Sequence, residues 1–200
     1  MTIIPSNLAA FVADARNAIY EEEQRLNAAD ARIGDGDTGS MLRRVIDAMA
    51  NTDTAGAASL ADAAMDLAQA AMKETGSSLG TLIATASMAL AKAAKTADNE
   101  ISAKNISRVV AEMRDSVAAR GKAKPGDKTV IDSLDAIAMA LNAGPANRQT
   151  AAKAANDALD AFRDKPCRIG RARMFPERST GADDPGMLAI ALVLQHMTKT

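Results

Sequence analysis

The chain has 200 residues, 48% of them hydrophobic and only 2% aromatic, with 24 Lys and Arg against 25 Asp and Glu, one His and one Cys. That length suits one domain, residues 1–200, with a sizeable core, and a net charge near zero argues against a general nucleic-acid or membrane-surface binder. No apolar run reaches the roughly 18–20 residues of a membrane span, Cys167 has no partner for an internal disulfide, and the expected location is cytoplasmic.

Abundant Ala, Leu and Met, all strong helix formers, predict an all-α protein. The first helix is expected from an N-cap at Ser6, with Leu8, Phe11, Val12, Ala15, Ile19 and Leu26 facing one core at a period of 3.6, and with Asp30 at its end. The second covers about 39–52, with Met41, Leu42, Val45, Ile46 and Met49 inward. The third starts at the N-cap Ser59 and stops at Gly76; the fourth opens in S-S-L-G and runs toward Asp98. Ile101 and Ile106, either side of Ser102, read as a hydrophobic staple around the N-cap of the fifth, which ends at Gly121. The sixth begins at Thr129 with Asp132 in the capping-box position, and the seventh covers about 147–164. Asp184-Pro185, an N-cap followed by Pro at the first helical position, opens the eighth. No alternating strand pattern is visible.

The segment D-A-R-I-G-D-G-D-T-G-S-M, between the first two helices, concentrates Asp30, Asp35 and Asp37 among glycines. At an effective dielectric of about 20, two carboxylates a few ångströms apart repel by on the order of 2–4 kcal/mol, which a cation relieves. An all-oxygen donor set with no His or Cys nearby favours a hard ion, Mg²⁺ or Ca²⁺. The position of an EF-hand's bidentate Glu is held by Ile46, so the loop is not an EF-hand. The plainer alternative is a solvated turn whose Asp and Gly residues only cap a helix. The helix starting near Thr38 points its free N–H groups and positive dipole end at the loop, which suits metal-bridged phosphates.

Short links make neighbouring helices antiparallel, so the odd-numbered connections share one end of the bundle. Those four are the unusual ones: the Asp-Gly loop, T-G-S-S-L-G, G-K-A-K-P-G-D-K-T, and the long stretch from Cys167 to Gly186. Gly76, Ser77 and Ser78 offer N–H and hydroxyl donors to phosphate oxygens, while Lys122, Lys124, Lys128, Arg171, Arg173 and Arg178 offset anionic charge. Met41, beside the Asp-Gly loop, is either core filler or a contact to a base. The G-K-A-K-P-G-D-K-T segment has one residue too many before Lys128 and follows a helix, so it is not a P-loop. No Ser-His-Asp or Cys-His arrangement is available, so the site reads as one that holds a nucleotide while the acceptor comes from elsewhere.

With I-G-D-G-D-T-G-S-M, G-S-S-L-G-T, G-D-K-T-V-I-D and G-R-A-R-M-F-P-E-R-S-T-G-A-D-D-P-G in this order, nearly the whole chain resembles the nucleotide-binding L subunit (DhaL) of dihydroxyacetone kinases. The resemblance implies an eight-helix antiparallel barrel that binds ADP or ATP through two Mg²⁺ ions at one rim, with Asp30, Asp35 and Asp37 as the metal ligands. It matches Thr38, Gly39, Ser77 and Ser78 to phosphate-binding positions, and Ser40, Met41, Gly76 and Lys128 complete the expected nucleotide contacts. The segment from Gly170 through Arg171 to Arg178 is implied to cap the nucleotide, with Arg178 as the expected catalytic group, and Asp184, Pro185 and Gly186 to close the site. Thr38 stands where many members have His, which leaves the metal ligands intact.

The expected function is transfer of the γ-phosphoryl of bound ATP to a short keto sugar, dihydroxyacetone or a tetrulose such as erythrulose, held on a separate K subunit. In phosphotransferase-linked members of the family a DhaM-type subunit rephosphorylates the bound nucleotide. A second reading is a nucleotide-loaded adaptor that regulates a partner protein without turnover.

Overall fold

A computed structural model describes residues 2–74 and 76–199. The side chain of Arg171, one of the expected nucleotide contacts, lies outside the described residues. Eight long helices follow the expected order among the described residues: α1 (Pro5–Asp30), α2 (Thr38–Ala50), α3 (Leu60–Glu74), α4 (Ser78–Thr96), α5 (Ile106–Gly121), α6 (Val130–Ala143), α7 (Arg148–Arg163) and, after the four-residue α8 (Pro176–Ser179), α9 (Pro185–His196). Each long helix packs on the next and α9 returns to α1, which closes the ring. The all-α expectation therefore holds, and no helix among the described residues is long and apolar enough to cross a membrane.

The core is built largely from Ala, whose lack of bulk lets helices approach closely: Ala61, Ala63, Ala64, Ala71, Ala91, Ala94 and Ala155 are all buried, interleaved with Leu26, Leu60, Leu67, Met187 and Leu188. Caps define the helix starts. Ser59 Oγ accepts from the Asp62 amide at 3.0 Å, Ser77 Oγ from Gly80 at 3.0 Å and Asn147 Oδ1 from Thr150 at 2.9 Å. The expected capping box of α6 is present, with the Thr129 amide donating to Asp132 Oδ2 at 2.8 Å.

Three local expectations are corrected. Helix α1 begins at Pro5, not after Ser6: proline is preset for the first helical position, and the Ile4 amide donates to Asn7 Oδ1 at 3.3 Å. Phe11 is exposed (42%), because at 100° per residue it lies about 60° off the stripe through Leu8, Val12, Ala15, Ile19 and Leu26. Ser102 is not an N-cap. Residues Thr2–Ile3 (β1) pair antiparallel with Ile101–Ser102 (β2), Ile3 opposite Ile101, and Asn105 precedes α5. Buried Ile101 thus anchors the chain's N-terminal end rather than a helix start.

At Gly39, α2 packs tightly against α1: an added Cβ would overlap the Glu23 carbonyl oxygen and crowd Asn27 Oδ1. Replacing Gly by Ala in a helix normally gains up to about 1 kcal/mol. Here the backbone must move apart, at roughly 1–3 kcal/mol, so Gly39→Ala is expected to lower stability by about 1 kcal/mol. The urea midpoint of unfolding checks this; an unchanged or higher midpoint contradicts the tight contact.

Candidate functional site

Asp30 is the last residue of α1 and is 8% exposed. Its Oδ2 accepts the amides of Gly36 at 2.9 Å and Asp37 at 3.0 Å, so the loop wraps around this carboxylate. Gly34 passes so close that a Cβ would sit on Asp30 Oδ1, and Gly36 has φ +82°, a conformation open to glycine at little cost. The wrap brings one oxygen from each of Asp30, Asp35 and Asp37 within 4.8 Å of the others, with Asp35 and Asp37 exposed. An all-carboxylate set at this spacing fits hard cations bound at about 2.0–2.6 Å, with shifts of a few tenths of an ångström.

Immediately beyond, α2 begins against α1 in a way the sequence reading missed. Asn27 Oδ1 accepts the amides of Gly39 at 2.7 Å and Ser40 at 3.1 Å, and its Nδ2 donates to Ser40 Oγ at 3.0 Å. Ser40 Oγ donates to Glu23 Oε1 at 3.0 Å, and Glu23 Oε2 is paired with Arg43 at 2.7 Å. Arg43 and a hydrogen-bonded Ser40 hold the Glu23 carboxyl below the usual range. The amides of Gly39 and Ser40, expected to meet phosphate, are therefore engaged by α1. Met41 is 4% exposed in the core, which decides for filler over a base contact. Thr38 remains at the rim. The signal for Asn27 was its place in the last turn of α1, three residues before Asp30.

The other three unusual loops meet the same end of the ring. Gly76 and Ser78 are exposed at the start of α4, and a Cβ on Gly76 would meet open space. Gly186, at the start of α9, lies against Val130 at the start of α6 and Leu79 at the start of α4. Asp184 caps α9, accepting the Met187 amide at 2.9 Å, while Pro185 and Gly186 are buried, so this motif seats the start of α9. Burial pushes the Asp184 carboxyl up to about 6, against the pull of the Met187 and Gly186 amides and of Lys128.

Between α7 and α9 the chain forms a cap. After Gly170, with φ +73°, come a 3-10 turn (Arg171–Met174) and α8. Arg178 projects from α8 with its guanidinium 4.8 Å from the Phe175 ring centroid. A cleft of about 150 Å³ separates the cap from the Asp-Gly loop, lined by Ala172, Phe175 and Arg178 on one side and Ala31, Arg32, Ile33 and Gly34 on the other. Neither Arg32 nor Arg178 meets an acidic partner among the described residues. Arg32 was missed by the sequence reading although it stands two residues after Asp30. Lys128, expected at the nucleotide, is instead 1% exposed, with its Nζ bonded to three backbone carbonyls, and has no donor left for a ligand.

A family profile for the DAK2 domain matches residues 32–199. The chain belongs to the DAK2 domain family. It is 32% identical over 204 residues to the L-erythrulose kinase of Pectobacterium atrosepticum, covering 96% of this chain and 34% of that one. It is 29% identical over 189 residues to the ADP-binding subunit DhaL of a PEP-dependent dihydroxyacetone kinase of Listeria innocua, covering 94% and 92%. The dihydroxyacetone kinase from C. freundii in complex with AMP-PNP and Mg²⁺ superposes with a TM-score of 0.74 at 25% identity, over 97% of this chain and 34% of that one. The chain thus spans about a third of the length of these two kinases and nearly all of the DhaL subunit.

Two outcomes follow from this geometry. Asn27→Ala leaves the Gly39 and Ser40 amides without their acceptor and is expected to cost roughly 1–3 kcal/mol, read from urea unfolding. Asp184 has a folded pKa of about 6, above its ordinary value of 3.8, so the protonated form favours the folded state. The stability it contributes is present below about pH 4 and is lost as pH rises through about 6, roughly 2–3 kcal/mol in all. Asn is as good an N-cap as Asp. Asp184→Asn should therefore keep α9 intact while flattening that fall, and a wild-type slope unchanged in the variant would exclude Asp184 as its source.

Proposed function

We propose that residues 1–200 form a single nucleotide-binding domain that holds ADP or ATP with two Mg²⁺ ions, and that it works in the cytoplasm as the L subunit of a dihydroxyacetone-type kinase. The γ-phosphoryl of ATP passes to the hydroxyl of a short keto sugar, dihydroxyacetone or a tetrulose such as erythrulose, held on a separate K subunit. The carrying observation is the convergence of Asp30, Asp35 and Asp37 on a loop whose Arg32 lines one side of a cleft and whose opposite side carries Arg178. The names of the relatives support the nucleotide and the sugar class, and the PEP-dependent relative supports a DhaM-type subunit as the source of phosphoryl groups.

In this reading Asp30, Asp35 and Asp37 hold the metal, and Asp30 is fixed in advance by two backbone amides. Bound Mg²⁺ supplies charge neutralisation for the polyphosphate and its leaving oxygen. Thr38 and the exposed Gly76 and Ser78 at the start of α4, beside the capping Ser77, offer hydroxyl and amide donors to the phosphates. The Gly170 to Arg178 segment covers the nucleotide, and Arg178 faces the transferring group, where a guanidinium matches developing charge on phosphoryl oxygens. Asp184, Pro185 and Gly186 close the site by capping and seating α9. Phosphoryl transfer is mainly positioning and electrostatics, which is consistent with the absence of a nucleophile from the described rim.

Asp35→Ala and Asp37→Ala are expected to weaken Mg²⁺-dependent ADP binding at least about 100-fold by titration calorimetry, a loss of some 2.7 kcal/mol. Both residues are exposed, so melting should change little. Retained affinity in either variant removes the metal assignment. Arg178→Ala, assayed with a K subunit and dihydroxyacetone, is expected to lower kcat by about 10²–10³ with a smaller change in ADP affinity; equal losses in both would make Arg178 a binding residue only.

A further inference from the structure

Lys128 is a buried cation in the turn before α6, held at φ +63°, in the left-handed region that side-chain-bearing residues rarely adopt. Its Nζ donates to the carbonyl oxygens of Arg163 at 2.8 Å, Lys165 at 2.7 Å and Ser179 at 2.6 Å. An ammonium has three N–H donors, and all three are engaged. Arg163 is the last residue of α7, whose final carbonyls have no intrahelical partner and carry the negative end of the helix dipole. Lys165 lies at the entry to the cap and Ser179 at its exit. One atom therefore ties both feet of the loop that carries Arg178.

Neighbouring bonds reinforce the tie: the Gly181 amide donates to the same Arg163 carbonyl at 2.9 Å, and Arg163 Nε lies 2.8 Å from Asp183. Ser179 Oγ accepts the Cys167 amide and donates to the Pro176 carbonyl, both at 2.9 Å, and the Arg168 amide donates to the Asp127 carbonyl at 3.1 Å. Burial lowers the Lys128 pKa; Cys167, Asp184, Asp183 and Asp164 act on it in the opposite sense, yet none forms an ion pair with it among the described residues. Carbonyls, not carboxylates, are what the ammonium holds.

We propose that Lys128 is a positioning residue that latches the cap: by drawing three carbonyls onto one ammonium it fixes the loop bearing Arg178 over the rim and sets how long a nucleotide stays bound. The consequence for nucleotide rests on the function proposed above; the latch itself does not.

The test uses the full chain with Lys128→Ala, in which n-propylammonium matches the atoms removed. Trypsin should cut at Arg168, Arg173 and Arg178 about tenfold faster than in the wild type, as expected for losing several charge-assisted bonds, with helical circular dichroism retained. Propylammonium should restore slow cutting, while tetramethylammonium, which has no N–H, should not. With Mg²⁺ present, release of a fluorescent ADP should quicken about fivefold or more while Mn²⁺ affinity at the Asp cluster stays within about twofold, a split that general destabilisation does not give. Wild-type cutting rates in the variant, or equal rescue by tetramethylammonium, overturn the latch. Should the Ala variant lose its helical signal, Lys128→Met, which keeps the apolar stem, carries the same proteolysis comparison. A wild type that binds no ADP sinks the nucleotide reading and leaves the proteolysis result to decide the latch.

Discussion

The Asp30 carboxylate, gripped by the amides of Gly36 and Asp37, is the interaction on which the rest of the rim depends. Three carboxylates within 4.8 Å repel one another by a few kcal/mol in all but the most screened setting. A loop free to relax would separate them. Here the backbone is committed first: two amide dipoles converge on Asp30 Oδ2, Gly34 and Gly36 supply the clearance and the positive φ that the turn needs, and Asp35 and Asp37 are carried along. The repulsion is thus opposed by main-chain bonds that do not depend on a cation being present.

The same economy of partners starts the next helix. Amides at 36 and 37 go to Asp30, and amides at 39 and 40 go to Asn27, so two acceptors one turn apart on α1 receive four donors, two from the loop and two from the start of α2. Helix α2 is capped by its neighbour rather than by its own N-cap residue, since the Asp37 side chain makes no capping bond. That frees the Asp37 carboxylate from the usual duty of an N-cap aspartate. Farther down the same interface Glu23, Arg43, Tyr20, Asp47 and Arg16 form a connected polar seam, with Tyr20 Oη donating to Asp47 at 2.8 Å and Arg16 Nε at 2.6 Å from the same carboxylate. The seam is exposed and each pair is worth little alone; its geometric effect is to fix the rotation of α2 about its axis, and with it the direction in which Thr38 faces.

Helices and caps were legible because periodicity and capping are local: Ser59, the S-S-L-G opening, Thr129 with Asp132, and Asp184-Pro185 all mark real starts. The gathering of the four unusual loops was legible too, from the parity of short connections. What escaped were outcomes set by partners far apart in sequence. Ile101 reads locally as half of a staple, yet its pairing is with Ile3. Lys128 reads from its loop as a cation for the nucleotide, and only the return of the chain at residues 163, 165 and 179 turns it inward. Gly39 and Ser40 sit where free helix amides belong, and nothing in their neighbourhood announces that Asn27 takes those donors. Met41 was ambiguous because one helical position separates the core stripe from the rim.

The distribution of charge partners bears on what the rim is for. Arg16, Arg43, Arg108, Arg114, Arg148 and Arg163 each reach a carboxylate within 4.0 Å, as expected where acidic residues are plentiful on a surface. Arg32 and Arg178 instead line opposite sides of a narrow cleft beside the loop of Asp30, Asp35 and Asp37, and, like Arg44, Arg120, Arg168 and Arg173, close no ion pair among the described residues. Two like charges converging on one small volume raise each other's energy, just as the three carboxylates do. A guest with cations on one side and anionic oxygens on the other relieves both repulsions at once, and a metal-bound polyphosphate has that arrangement of charge. In the function proposed above, the two clusters act as halves of one electrostatic cradle.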